Sequence, residues 1–171
     1  MTQTHKKVAL SNHTLRLTFA YKDGIARLIR SERVEMKVPA AVTPPPQTGQ
    51  SGFWFEVRDA AGNLLYHRPL HNPMRADVEV FSKESERTMA RVPADHPEGE
   101  FTLLVPDLPD ADTFVFHGAP QQIGANRESL VAMRSAPSQP LIRYSFAELR
   151  SFQIPAQDTE NAHASRTEPA K

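Results

Sequence analysis

Few side chains in this chain combine the type and the spacing that chemistry requires. His67 and His71 stand four apart, the interval that sets two imidazoles on one helix face in zinc peptidases. Pro69 lies between them and no Glu follows His67, so the fixed geometry and the base that zinc hydrolysis needs are missing. They read as two loop histidines at the end of a hairpin. Asp107, Asp110 and Asp112 crowd one turn, where clustered oxygens could serve calcium. Their D-x-x-D-x-D spacing departs from a calcium-loop signature, and Pro106 and Pro109 make the segment a turn with solvated carboxylates. Asp77 and Glu79 share a strand face, an arrangement a glycosidase could use, but alternating charge also marks any exposed strand face.

Other signatures are missing outright. The chain contains no G-x-S-x-G, no G-K-[ST] and no G-x-G-x-x-G, and its 7 glycines leave little material for a phosphate cradle. Without cysteine there is no thiolate zinc site, no cysteine nucleophile and no disulfide. The expectation is a protein that is not an enzyme, with no catalytic residue, no metal and no cofactor.

The remaining candidate is an aromatic trio, Phe53-Trp54-Phe55, in "SGFWFEVRDAAGNLLYHRPL". On a strand, Phe53, Phe55 and Val57 point one way, and Trp54, Glu56 and Arg58 the other. The first set is wholly apolar and belongs to a core. Trp54 on the polar face could anchor a partner or stack on a sugar ring. Alternatively, it is covered by the Pro44-Pro45-Pro46 loop or by the C-terminal region, since tryptophan and polyproline pair readily. Trp54, Glu56, Arg58 and Pro45 are therefore the candidate binding residues.

The elements that must position these side chains are short strands. Leu15, Leu17, Phe19 and Tyr21 alternate with Arg16, Thr18 and Ala20, and Asp23-Gly24 supplies a tight hairpin turn. The returning run alternates cleanly only in its second half, with Val34, Met36 and Val38 inward, which places a bulge or bend near Arg30 to Glu32. After a proline-rich loop come strands at Phe53–Arg58 and Leu64–Arg68, joined by "DAAGN" with a left-handed position at Gly62-Asn63, and then a bend between Pro69 and Pro73. "ADVEVF" turns Val78 and Val80 inward, "EGEFTLLVPDL" presents Phe101, Leu103 and Val105, and "TFVFHG" presents Phe114 and Phe116. About seven short strands at this spacing predict an all-β, immunoglobulin-like antiparallel β-sandwich over residues 8–118.

Beyond Gly118 the character changes. "NRESLVAMRSA" suggests a helix capped by Asn126, and "SFAELRSF" carries a capping box, Ser145 with Glu148. "PLIRYSF" fits a last strand equally well. Residues 119–152 are expected to dock on the sandwich as a short, partly helical C-terminal appendage, and 153–171 to form a disordered tail poor in apolar residues.

Charge narrows the partners. Lys and Arg number 20, as do Asp and Glu, and the arginines are scattered, so the basic excess of a nucleic-acid binder is absent. No run approaches the ~20 apolar residues of a membrane helix, and the N-terminus has no leader-like apolar core, which together with the lack of cysteine predicts a cytoplasmic protein.

The run "FWFEVRDAAGNLLYHRPLHNP" resembles a strand–turn–strand segment in the small β-sandwich ahead of the catalytic domain of IgA-type metallopeptidases, and "TLRLTFAY" is similar to that module's opening strand. The resemblance implies an accessory, non-catalytic module. That family's zinc-binding H-E-x-x-H is missing from this sequence, so no catalytic role carries over. The expected function is a non-enzymatic module whose partner is another protein. A peptide- or glycan-binding accessory module of a hydrolase system and a calcium-dependent adhesion module are the alternatives.

Overall fold

Leu15, Leu17 and Phe19 occupy alternate positions of one strand, and burying all three requires a second sheet facing them. The computed structural model provides it. It describes residues 11–38, 41, 49–74, 77–80, 90–93, 96–119 and 136–152. The nine strands there are β1 (His13–Lys22), β2 (Ile25–Glu35), β3 (Phe53–Arg58), β4 (Leu64–Leu70), β5 (Asp77–Val80), β6 (Ala90–Pro93), β7 (Glu98–Pro106), β8 (Thr113–Gly118) and β9 (Gln139–Ser145). One short helix, α1 (Phe146–Ser151), follows. Seven strands form two antiparallel sheets in the orders β2-β1-β7 and β4-β3-β8-β9, while β5 and β6 pair as a separate ribbon. The expected all-β sandwich is the fold.

The core lies between the two sheets. Leu15, Leu17 and Phe19 of β1 and Leu103 and Val105 of β7 meet Phe55 and Val57 of β3 and Phe114 and Phe116 of β8. Aromatic rings bridge the layers, with Phe19 and Phe114 centroids 6.3 Å apart and Phe101 and Phe116 5.6 Å apart. Burial of each such side chain contributes roughly 1.5–3 kcal/mol against the entropy of ordering the chain.

Local chemistry sets the turns. Asp23 and Gly24 both have positive φ, 51° and 80°, so the β1–β2 hairpin closes in two residues, as the Asp-Gly pair predicts. Asp59 organises the β3–β4 loop, its Oδ1 accepting the N–H groups of Ala61 at 3.0 Å and Asn63 at 2.8 Å, while Gly62 takes φ 82°. The β2 bulge comes one residue earlier than expected. Thr18 pairs with Arg30 but Phe19 with Leu28, which leaves Ile29 as the extra residue. Regular pairing stops at Glu35, so of the predicted inward trio only Val38 is buried, Val34 is half-buried and Met36 is exposed.

Strand β4 runs through Pro69 to Leu70 instead of bending there. Proline donates no ladder hydrogen bond, but β4 is the edge of its sheet, where that donor is not needed. Beyond residue 118 the expected appendage resolves into two parts. Strand β9 pairs with β8 as a full member of the four-stranded sheet, so the sandwich continues past 118. Helix α1 closes one side, and Phe146 and Leu149 join the core. The capping box forms as predicted, with Glu148 N–H donating to Ser145 Oγ at 3.2 Å and Ser145 N–H donating to Glu148 Oε2 at 2.7 Å. Ser31 Oγ of β2 donates to Leu149 O at 2.6 Å, satisfying a carbonyl of the last turn. The proline-rich loop with Pro45, the Asn126 helix, the inward direction of Val78 and Val80, and the 153–171 tail lie outside the described residues.

Candidate functional site

The alternation of β3 places Trp54, Glu56 and Arg58 on the sheet face turned away from the core, as expected. Cross-strand register then decides their neighbours: Trp54 lies opposite His117 of β8 and Pro69 of β4, and Glu56 opposite Val115 and His67. The Trp54 indole stacks on the His117 ring, with centroids 4.9 Å apart and 12° between planes. This face is not open. Trp54 is 5% exposed, Glu56 5%, His67 3% and Val115 1%, all through burial within the chain itself. Trp54 is therefore a packed residue rather than an exposed anchor, and its indole Nε1 has no hydrogen-bond partner among the described residues.

Glu56 is the electrostatic centre of that face. Arg58 grips it in a two-pronged pair, Nε to Oε1 and Nη2 to Oε2, both 2.9 Å, and His117 Nε2 lies 3.2 Å from Oε1. Burial pushes the carboxyl up. The hydrogen bonds and charges of His117 and Arg58 more than offset that and bring it down to about 2. Arg58 Nη1 also donates to Gly62 O at 2.8 Å, so the same guanidinium ties the site to the β3–β4 loop.

A second constellation sits where β2, the end of β7 and α1 meet. Asp107 is buried, and its Oδ2 accepts from Arg33 Nε at 2.7 Å. Its Oδ1 accepts from Arg150 Nε at 2.9 Å and Nη2 at 2.7 Å. Arg150 Nη2 also reaches Leu108 O at 3.1 Å, and its guanidinium lies 5.3 Å from the centre of the Phe146 ring. Burial again pushes the carboxyl of Asp107 up, and the bonds and charges of Arg33 and Arg150 carry it below its ordinary value. Ser11, Arg33, Asp107, Pro109 and Arg150 line an open pocket of about 490 Å³.

The other candidates separate. His67 is buried on β4, whereas His71 is exposed beyond the strand end. Asp107 is held by arginines, Asp110 is exposed, and Asp112 Oδ2 accepts from Thr113 Oγ1 at 2.8 Å, so the three carboxylates do not converge. Asp77 and Glu79 lie on β5. Among the described residues no group of three or more His, Cys, Asp or Glu gathers to hold a metal ion, and no helix is long and apolar enough to cross a membrane.

Sequence reasoning missed the Arg33–Asp107–Arg150 cluster because its members lie 74 and 43 positions apart on three elements. One local signal was available: the capping box fixes the register of α1 and sets Arg150 in its last turn. His117 was also missed, since only the β3–β8 register brings it to Trp54. Comparison of the chain with protein-family models, with curated proteins and with solved structures finds no match.

Proposed function

We propose that this chain is a non-enzymatic, cytoplasmic β-sandwich module whose role is to bind another protein, as an accessory or structural part of a larger system. One observation carries the non-enzymatic half. The two carboxylates buried among the described residues, Glu56 and Asp107, are neutralised by arginine and pulled below their ordinary range. A general acid or base needs the opposite, a group poised near working pH. The binding half is supported by Arg33 and Arg150, half-exposed guanidiniums at the wall of an open pocket, since arginine is enriched at protein interfaces. The immunoglobulin-like reading rests on the second sheet, where the β3–β4 hairpin is rejoined by β8 and β9. An accessory module of the kind seen in IgA-type metallopeptidases fits the same picture.

Stacking on a glycan requires an open Trp54 face, and calcium adhesion requires converging aspartates; Trp54 is buried and the aspartates diverge. Reconstitution from purified components tests the proposal. A partner that co-purifies with the chain in fixed stoichiometry is expected to re-form the complex with purified chain. Failure to reconstitute any such complex refutes the binding half. Turnover of a small molecule that disappears in Glu56→Gln or Asp107→Asn refutes the non-enzymatic half.

A further inference from the structure

The Arg33–Asp107–Arg150 cluster has more positive charge than its own carboxylate uses. Asp107 engages only the Nε of Arg33 and the Nε–Nη2 edge of Arg150. Among the described residues, the terminal nitrogens of Arg33 and the Nη1 of Arg150 donate to nothing. Among the described residues, two guanidiniums contact this one carboxylate, an excess of one positive charge within the cluster. The side-chain exposures point the same way: 56% for Arg33 and 40% for Arg150, above an Asp107 side chain that is 5% exposed. Asp107 is thus a buried brace. It fixes both guanidiniums by their inner edges and leaves the other nitrogens unengaged in two side chains that line the cavity.

Preorganisation is what separates such a pair from scattered surface arginines. An exposed arginine that binds an anion must first lose side-chain rotamer freedom. Here the carboxylate of Asp107, the carbonyl of Leu108 and the ring of Phe146 have already ordered Arg150, and Asp107 has ordered Arg33. The planar fork of a guanidinium matches the paired oxygens of a carboxylate or a phosphate group. Ser11 lines the same pocket, its Oγ accepting the His13 N–H at 3.0 Å.

We propose that the pocket between β2, the β7–β8 turn and α1 binds a single oxyanion, a carboxylate or phosphate group, through the outer edges of Arg33 and Arg150. The proposal deepens the protein-binding reading by naming the group a partner presents, and the site's anion affinity is measurable without any partner.

The test is a titration of isotope-labelled full-length chain, followed by arginine Nε–Hε resonances in NMR spectra. Three probes are used: inorganic phosphate, an acetylated glutamate amide and an acetylated phosphoserine amide, with chloride at matched ionic strength as control. Saturable shifts of Arg33 and Arg150 are expected, with a dissociation constant on the order of millimolar, the weak end for one charge-assisted contact set. The stronger of the two amides identifies carboxylate or phosphate ester as the source. Arg33→Gln is expected to weaken binding about tenfold or more. Its side chain is largely exposed, so the fold should survive, and unchanged remaining resonances check this. Shifts that chloride reproduces, that never saturate, or that persist undiminished in Arg33→Gln overturn the site. Because no partner enters the assay, that failure is distinct from failure to reconstitute a protein complex.

Discussion

Glu56 makes the acid stability of this protein a quantitative matter. The ordinary value of its carboxyl is 4.5, and the folded chain lowers it to about 2. A group lowered on folding stabilises the native state above its unfolded value, and that stabilisation is lost as pH falls towards the folded value. Glu56 should therefore contribute fully above about pH 5, progressively less between about pH 4.5 and 2, and nothing below. At about 1.4 kcal/mol per pH unit, the gap corresponds to about 3 kcal/mol, and with the side chain only 6% exposed little of this is screened by water. Glu56→Gln preserves the shape and removes the charge. The stability difference between wild type and Glu56→Gln isolates this carboxylate, because Asp107 titrates identically in both chains. Urea unfolding followed by far-UV circular dichroism suits the measurement, since the fluorescence of Trp54 is coupled to the site through its stacking on His117. The difference is expected to be about 3 kcal/mol near pH 7, to shrink from about pH 4.5 and to close near pH 2. A difference that stays constant across that range would show that Glu56 stabilises through shape alone and would refute the argument.

Three further outcomes follow from the packing. Trp54 is the only tryptophan and is 5% exposed, so native emission should lie well to the blue of free tryptophan and move red on urea unfolding; native emission like that of the free amino acid would disprove its burial. For the same reason Trp54→Ala should lose roughly 3–5 kcal/mol in urea melts, as large buried aromatics do, which makes it a stability probe rather than a binding probe. Gly118 sits against the Phe53 ring, and a Cβ there would also come within 2.7 Å of Leu141 Cδ1. Gly118→Ala should therefore cost about 1–3 kcal/mol by overpacking, and a melt superimposable on wild type would mean this end of the sheet yields freely.

The strands were legible because burial of one face imposes a period of two. Leu15 to Tyr21 shows that period, as does Phe53 to Val57 apart from Trp54, and both are strands whose alternate residues face the core. Turn chemistry was legible at Asp23-Gly24 and Gly62, where positive φ demands particular residues. Pairing was not. Nothing local tells β4 that it is an edge and so free to run through Pro69, or tells β9 that it belongs to the sheet of β8. The candidate site suffered most from this. Alternation correctly turned Trp54 away from the core, yet a position off the main core is not a position in water. Glu56, His67 and Val115 are buried on that same outer face. Single-strand periodicity describes two faces of a sheet and is silent about a second layer of cover.

The two arginine–carboxylate clusters use the same bonds for different ends, and the number of guanidiniums on each carboxylate decides which, since Arg58 and Arg150 are almost equally exposed, 39% and 40%. At Glu56, the pairing closes on itself: one arginine and one histidine surround one carboxylate, and neighbouring Trp54 and Val115 are buried beside it. Arg58 spends Nε and Nη2 on Glu56 and Nη1 on Gly62, so the pair fixes register and resists acid but leaves no unused nitrogen for a ligand. At Asp107, the carboxylate is equally buried, but two guanidiniums share the one anion. The unspent charge lies on the solvent side, where desolvating a ligand is cheapest and where a pocket is already open. Asp107→Asn sharpens the contrast. It keeps the side chain's shape but removes the charge that braces both guanidiniums, so the chain should become less stable, and millimolar phosphate bound from the pocket side should restore part of that loss by neutralising them. Phosphate should restore nothing to Glu56→Gln, where an amide of the same shape keeps the carboxylate's place and Arg58 still donates to Gly62 O.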